Sequence, residues 1–187
     1  MSPWQIKQLG QSVLRGAVFI YPTDTIWGIG CHPQHQDAVQ RILVIKQRPV
    51  NKGLILLASR LWHLQSYLKN NLNHGEMACL QAITQQPTTW LIETSRHCPG
   101  WLRGQFSTIA VRLTDHPFIQ QICDAIQAPL VSTSANRSKR TTVRNRIQAR
   151  RQFGAEVDYI VGGFGTGSGK ASTIKSLQTG QIIRGTP

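Results

Sequence analysis

Three cations stand close together in Lys46-Gln47-Arg48-Pro49 and Lys52, just before the apolar run GLILLA at 53–58. Basic residues suit the last turn of a helix, whose carbonyl groups carry partial negative charge. Pro49 also stops the helix and fixes the direction of the chain, so Arg48 and Lys52 can converge on a phosphate held at strand ends. A second place is Ser132-Thr133-Ser134-Ala135-Asn136, where hydroxyls and an amide follow an apolar strand, at the kind of edge where open sheets bind ligands. Their alternative use is to hydrogen-bond their own loop. The third is Arg112. In Thr108-Ile109-Ala110-Val111-Arg112, strand alternation turns Thr108, Ala110 and Arg112 to one face and carries a guanidinium into a sheet that reads as buried. A buried guanidinium requires an anion. A structural carboxylate or a ligand can supply it, and the chain has only eight acidic residues.

Other stretches raise chemistry and mostly lose it. GGFGTGSGK at 162–170 follows a strand and ends in Gly-Lys, but a phosphate loop of the GxxxxGK[ST] kind needs glycine at Phe164 and a hydroxyl at Ala171; a plain loop is the better reading. Cys31, His32 and His35 lie close together without a second ligand cluster of matching spacing, so no metal site is read there. The four cysteines form no CxxC pair, which leaves reduced thiols as the expectation. Residues 137–151 hold seven lysines and arginines, no acid and no aromatic: a face that attracts phosphates without offering base stacking.

A net charge of +13 favours polyanionic company, whether nucleotides, nucleic acid or phosphorylated substrates. The 187 residues suffice for one domain with its own core. With 40% hydrophobic residues and no apolar run near the length of a membrane span, the chain reads as soluble. No signal-peptide core is seen at its start, and a cytoplasmic location without membrane contact is expected.

The elements that must position these residues alternate along the chain. Helical spacing covers residues 4–14, a strand 18–21, and a helix from Pro33 that ends in the basic residues near 48. The stretch IYPTDTIWGIGC, 20–31, starts as a β-branched strand and breaks into Pro, Thr and Gly, a strand edge suited to a site. Strands follow at 53–58, 89–93, 108–113 and 129–133. Ser59 is placed to cap a helix over RLWHLQSYL, a further helix covers 76–84, and another starts at Pro117. A basic helix ending near Gly154, a strand in VDYIV and a terminal hairpin turning at 178–180 complete a three-layer domain with a mixed, twisted sheet.

In order and spacing these blocks resemble the YrdC/TsaC family, the threonylcarbamoyl-AMP synthases of tRNA modification. The residues carrying the resemblance are YPTDTIWGIGC at 21–31, KQRPVNKGLILLA at 46–58, TIAVRLTDHP at 108–117, PLVSTSAN at 129–136, Phe153-Gly154, and STI at 172–174 followed by Arg184-Gly185. The resemblance implies one YrdC-like α+β domain over 1–187, three layers α/β/α, in which a twisted mixed sheet with helices on both faces encloses a deep positive cavity. It implies an enzyme, a nucleotidyltransferase, that makes threonylcarbamoyl-adenylate and pyrophosphate from L-threonine, bicarbonate and ATP. A separate transferase complex then uses the product for the t6A modification of tRNAs reading ANN codons. The alternative is an RNA-binding protein using the same basic concavity on tRNA or rRNA.

By the same resemblance, Lys46 and Arg48 are the catalytic cations. Arg48, Lys52, Thr108, Ser134, Asn136, Thr142 and Arg184 surround ATP, and Thr25, Arg112, Ser132 and Ser172 hold threonine. Mg²⁺ is expected on the phosphates, with no protein ligand named. Two blocks depart from the family pattern. Gln86-Pro87-Thr88-Thr89-Trp90 stands where a Trp-Pro-Gly-Pro-Leu-Thr-like run is usual, and Lys139 stands where a glycine follows SANxS.

Overall fold

The computed structural model describes residues 1–83, 86–138, 140–162 and 167–185. In chain order its elements are α1 (Pro3–Leu14), β1 (Phe19–Tyr21), β2 (Gly28–Cys31), α2 (Gln36–Lys46), β3 (Ile55–Ala58), α3 (His74–Gln81), β4 (Thr88–Glu93), α4 (Gly100–Arg103), β5 (Thr108–Leu113), α5 (Pro117–Ile126), β6 (Leu130–Ser134), α6 (Arg146–Phe153), β7 (Tyr159–Ile160), β8 (Thr173–Ser176) and β9 (Ile182–Arg184). The strands form one mixed sheet in the order β7-β1-β2-β6-β3-β5-β4-β8-β9. The pairs β1/β7, β3/β5 and β4/β8 are parallel and the rest antiparallel.

Register sorts the side chains onto two faces, because residues paired across strands project to the same side. Ile20, Ile29, Leu56, Val111 and Ile92 belong to one face and pack into the larger core with residues of α2, α3, α4 and α6. Phe19, Tyr21, Leu57 and Leu130 belong to the other, under α1 and α5. Each of these buried apolar side chains contributes about 1.5–3 kcal/mol relative to exposure. Helices therefore cover both faces, as expected. The second face is only partly covered: Ser132, Ser134, Ala110, Arg112 and Thr89 project from it by register, and there the sheet is open to a cavity.

Three local expectations need correction. β2 was not read from the sequence, since Gly28 and Gly30 are poor strand residues. They are tolerated because the Tyr21 ring lies over them. A Cβ on Gly28 would sit 3.2 Å from that ring, and one on Gly30 only 2.2 Å from the Val131 carbonyl oxygen. Ser59 caps no helix: the residues after it form a 3-10 turn, Leu61–Leu64, tied down instead by Arg60 on Asp124 of α5 at 3.2 Å. α2 begins at Gln36 rather than beside Pro33, and it ends through its own backbone before Pro49 is reached. Gln47 turns left-handed at φ 52°, which costs a non-glycine residue about 1–2 kcal/mol. Arg48 N–H then closes on the Leu43 carbonyl at 2.9 Å. Among the described residues no helix is long and apolar enough to cross a membrane.

Candidate functional site

The open part of the second sheet face forms the floor of a cavity of about 700 Å³. Leu54, Ile55 and Leu57 supply apolar floor, and Thr25, Arg48, Arg112, Ser132, Ser134, Ser172 and Arg184 project polar groups into it. All seven were expected at the site. A second hollow of about 720 Å³ shares Arg48, Leu54, Ile55 and Arg184 with the first and adds Lys52 and Thr108. A third, of about 1020 Å³, shares Thr23, Thr25, Ile26 and Trp27 and adds Thr142. The expected residues thus distribute over three adjoining spaces, with Lys46 and Asn136 behind the walls.

The turn between β1 and β2 builds one wall. Thr23 Oγ1 donates its single proton to the Ile26 carbonyl at 2.8 Å and accepts Thr25 N–H at 3.0 Å. The 3.0 Å contact between the two hydroxyls must then run from Thr25 to Thr23. Thr25 Oγ1 keeps its lone pairs for Arg112, whose Nη1 donates to it at 3.2 Å. Arg112 is 6% exposed, and its Nη2 donates to Asp24 Oδ1 at 3.0 Å. Of the two anions left open for this arginine, the structural carboxylate is therefore already in place. Burial lowers the Arg112 pKa and Asp24 opposes that shift.

The second wall is cationic and has no such compensation. Arg48 donates to the Gly53 carbonyl at 2.9 Å and the Lys52 carbonyl at 3.3 Å, leaving Nε buried without a partner among the described residues. Burial, and then the charge of Arg184, push its pKa down; burial does the same to Arg184. No acidic side chain lines the first two hollows among the described residues. Two desolvated guanidinium groups that repel each other are chemically suited to a multiply charged anion.

Lys46 is 4% exposed and turns into the loop after β6. Its Nζ donates to the Ser134 carbonyl, to the Asn136 carbonyl at 2.8 Å and to Asn136 Oδ1 at 3.3 Å. Burial and neighbouring Arg48 bring its pKa down to about 8. With all three protons engaged, Lys46 is a strut under the loop. Asn136 also acts within the loop: its amide donates to the Arg137 and Arg140 carbonyls at 3.0 and 2.7 Å. Thr142 Oγ1 donates to the Ala135 carbonyl at 3.2 Å. The self-bonding use of this stretch and its exposure of Ser132 and Ser134 to the cavity thus coexist.

Two residues at the site were not singled out from the sequence. Thr89 is fully buried and hydrogen-bonds Ser172 across β4 and the start of β8 at 2.8 Å, so its hydroxyl reaches the cavity despite the altered run around it. Asp24, quoted within the first motif, was not recognised as the partner of Arg112. The candidate phosphate loop lies partly outside the described residues, as does Lys139. Its described end docks on the turn: Ser168 N–H donates to the Asp24 carbonyl at 3.1 Å and Gly169 N–H to that of Thr25 at 3.0 Å. These two amides are committed to protein carbonyls. In the basic segment, Arg137 is paired with Glu156 at 2.7 Å, whereas Arg140, Arg144, Arg146, Arg150 and Arg151 are exposed.

The sequence family described as "Telomere recombination" (Sua5/YciO/YrdC) matches residues 11–185. A threonylcarbamoyl-AMP synthase of Pseudomonas aeruginosa is 39% identical over 184 residues, and one of Pseudomonas entomophila 37%, in both cases covering 98% of each chain. Among solved structures, P. abyssi Sua5 complexed with L-threonine superposes with a TM-score of 0.90 at 23% identity over 98% of this chain and 54% of that one. E. coli YciO superposes at 0.81 with 23% identity, over 98% of this chain and 89% of that one. At those identities the structures bear on the fold alone, whereas the family match extends over nearly all of the sequence, including every wall of the cavity. The chain belongs to the Sua5/YciO/YrdC family.

Proposed function

We propose that this protein joins L-threonine, bicarbonate and ATP into threonylcarbamoyl-adenylate, releasing pyrophosphate, as the activating step of t6A formation in tRNAs reading ANN codons. The observation that carries the reading is the likeness, over 98% of both chains, to proteins named threonylcarbamoyl-AMP synthase. The cavity suits that chemistry. Threonine's neutral amine and bicarbonate condense to a carbamate with loss of water, and a carboxylate oxygen of that carbamate attacks the α-phosphorus of ATP while the bond to pyrophosphate breaks. Attacking and departing groups are both anions, so the protein's task is to neutralise and align them.

In this reading Arg48 and Arg184, with Lys52 and Thr108 beyond them, take the triphosphate; Ser134, Asn136 and Thr142 border the nucleotide, and Lys46 holds Ser134 and Asn136 in place. Arg112 takes the threonine carboxylate, with Thr25, Ser132 and Ser172 around the amino acid; that a threonine site belongs on this fold is supported by P. abyssi Sua5, solved in complex with L-threonine. Because Asp24 already occupies part of the guanidinium, the carboxylate has fewer than its full set of donors. Mg²⁺ fits as a passenger on the phosphates: the described walls offer hydroxyls and no carboxylate, and Asp24, behind them, is engaged by Arg112. A tRNA threonylcarbamoyl transferase complex would receive the product, and direct contact with RNA is left to the exposed arginines around α6. The full-length likeness favours the enzyme over a pure RNA-binding role. Pyrophosphate release from ATP, measured with each substrate omitted in turn, tests it. Release only with threonine and bicarbonate together is expected, and release indifferent to threonine would overturn it.

A further inference from the structure

The cavity must bring in two different anions and keep them apart. Arg48 and Arg184, joined in the second hollow by Lys52 and Arg103, are unopposed by any acid on the described walls, so that end carries a net positive charge. Arg112 differs: Asp24 is paired to it at 3.0 Å. The neighbouring His116 is pushed by burial toward its neutral form and adds no charge. That end of the cavity is electroneutral. Asp24 does not line the cavity itself. It borders a separate hollow of about 300 Å³ with Thr88 and Thr114, and so acts on Arg112 from behind.

We propose that Asp24 is a charge-sorting residue: by neutralising Arg112 it reserves that subsite for an amino-acid zwitterion and excludes phosphate, which is drawn to the unpaired arginines instead. A net-neutral pair matches a net-neutral ligand, whose carboxylate meets the guanidinium while its ammonium is attracted by the nearby carboxylate. A polyphosphate gains nothing from such a pair and is repelled by Asp24. The bond to Nη2 also orients the guanidinium. Orientation and charge separate under substitution, because Asp24→Asn keeps an acceptor oxygen and removes only the charge. The inference rests on the proposed threonine subsite.

The test is equilibrium binding of inorganic pyrophosphate and of L-threonine, each by calorimetry, with no ATP or bicarbonate present. The wild-type protein is expected to bind one pyrophosphate, which threonine does not displace. Asp24→Asn is expected to bind a second one, displaced by threonine, so that threonine's apparent affinity falls at least tenfold in saturating pyrophosphate. Asp24→Glu, which restores the charge, is expected to return to one site. If Asp24→Asn binds threonine as the wild type does but takes only one pyrophosphate, unaffected by threonine, the sorting role is wrong while the subsite stands. If the wild type binds no threonine, or Arg112→Ala binds it equally well, the subsite is wrong and the inference falls with it.

Discussion

Replacing Arg112 by alanine separates the threonine subsite from the rest of the cavity. Arg112 is 6% exposed, and two of its nitrogens are held by Asp24 and Thr25, so its remaining N–H groups are aimed by the protein before a ligand arrives. One charge-assisted hydrogen bond is worth about 1.5–3 kcal/mol. At about 1.4 kcal/mol per factor of ten, its loss should raise the threonine KM about 10- to 150-fold. Asp24 then stands unopposed beside the carboxylate, which pushes the effect toward the upper end. Removing one partner of a fully buried pair costs about 3–5 kcal/mol. Asp24 is 28% exposed and can reach water, so a stability loss of about 1–2 kcal/mol is expected, lowering Tm by about 2–8 °C and leaving a folded protein. Pyrophosphate release against threonine at saturating ATP measures the change, and the ATP KM should stay within about threefold, since the triphosphate is assigned to other arginines. A folded Arg112→Ala with unaltered threonine dependence would refute the assignment.

Arg48→Ala should lower turnover and raise the ATP KM while sparing threonine binding, because the triphosphate loses one of two unpaired guanidinium groups; a full rate in the same assay would remove Arg48 from the phosphate site. Lys46→Met should lower kcat without lowering the affinity for pyrophosphate in calorimetry, since Lys46 supports the loop and does not meet the phosphates. Turnover should fall as pH rises through about 8, where the Lys46 ammonium loses a proton it donates to the loop, and this limb should be missing in Lys46→Met. Stability moves the other way. With its folded pKa drawn below its ordinary 10.5, the unfolded chain binds more protons between those pH values, so this group's contribution to stability rises with pH there. Denaturant midpoints of wild type minus Lys46→Met across that range check the sign.

Alternation and apolar runs were enough to place β1, β3, β4, β5 and β6, and with them Thr108 and Arg112 on one face, because those signals depend on a strand's own residues. β2 was hidden because its signal lies elsewhere: Gly28 and Gly30 make a strand only under the ring of Tyr21. The same limit explains the site. That Arg112 needs an anion is legible from one strand, but that Asp24 supplies it depends on the turn after β1 meeting β5, a pairing 88 residues apart. The family resemblance, not its neighbours in sequence, makes Lys46 a catalytic cation. The acceptors that claim it lie 88 and 90 residues further along, and no local pattern announces them.

A structure determined with ATP and L-threonine bound decides whether both anions share one cavity at separate arginines. It should place the triphosphate against Arg48 and Arg184 and the threonine carboxylate on Arg112 within the same hollow. Phosphates seated on Arg112, or threonine bound away from it, would contradict the account.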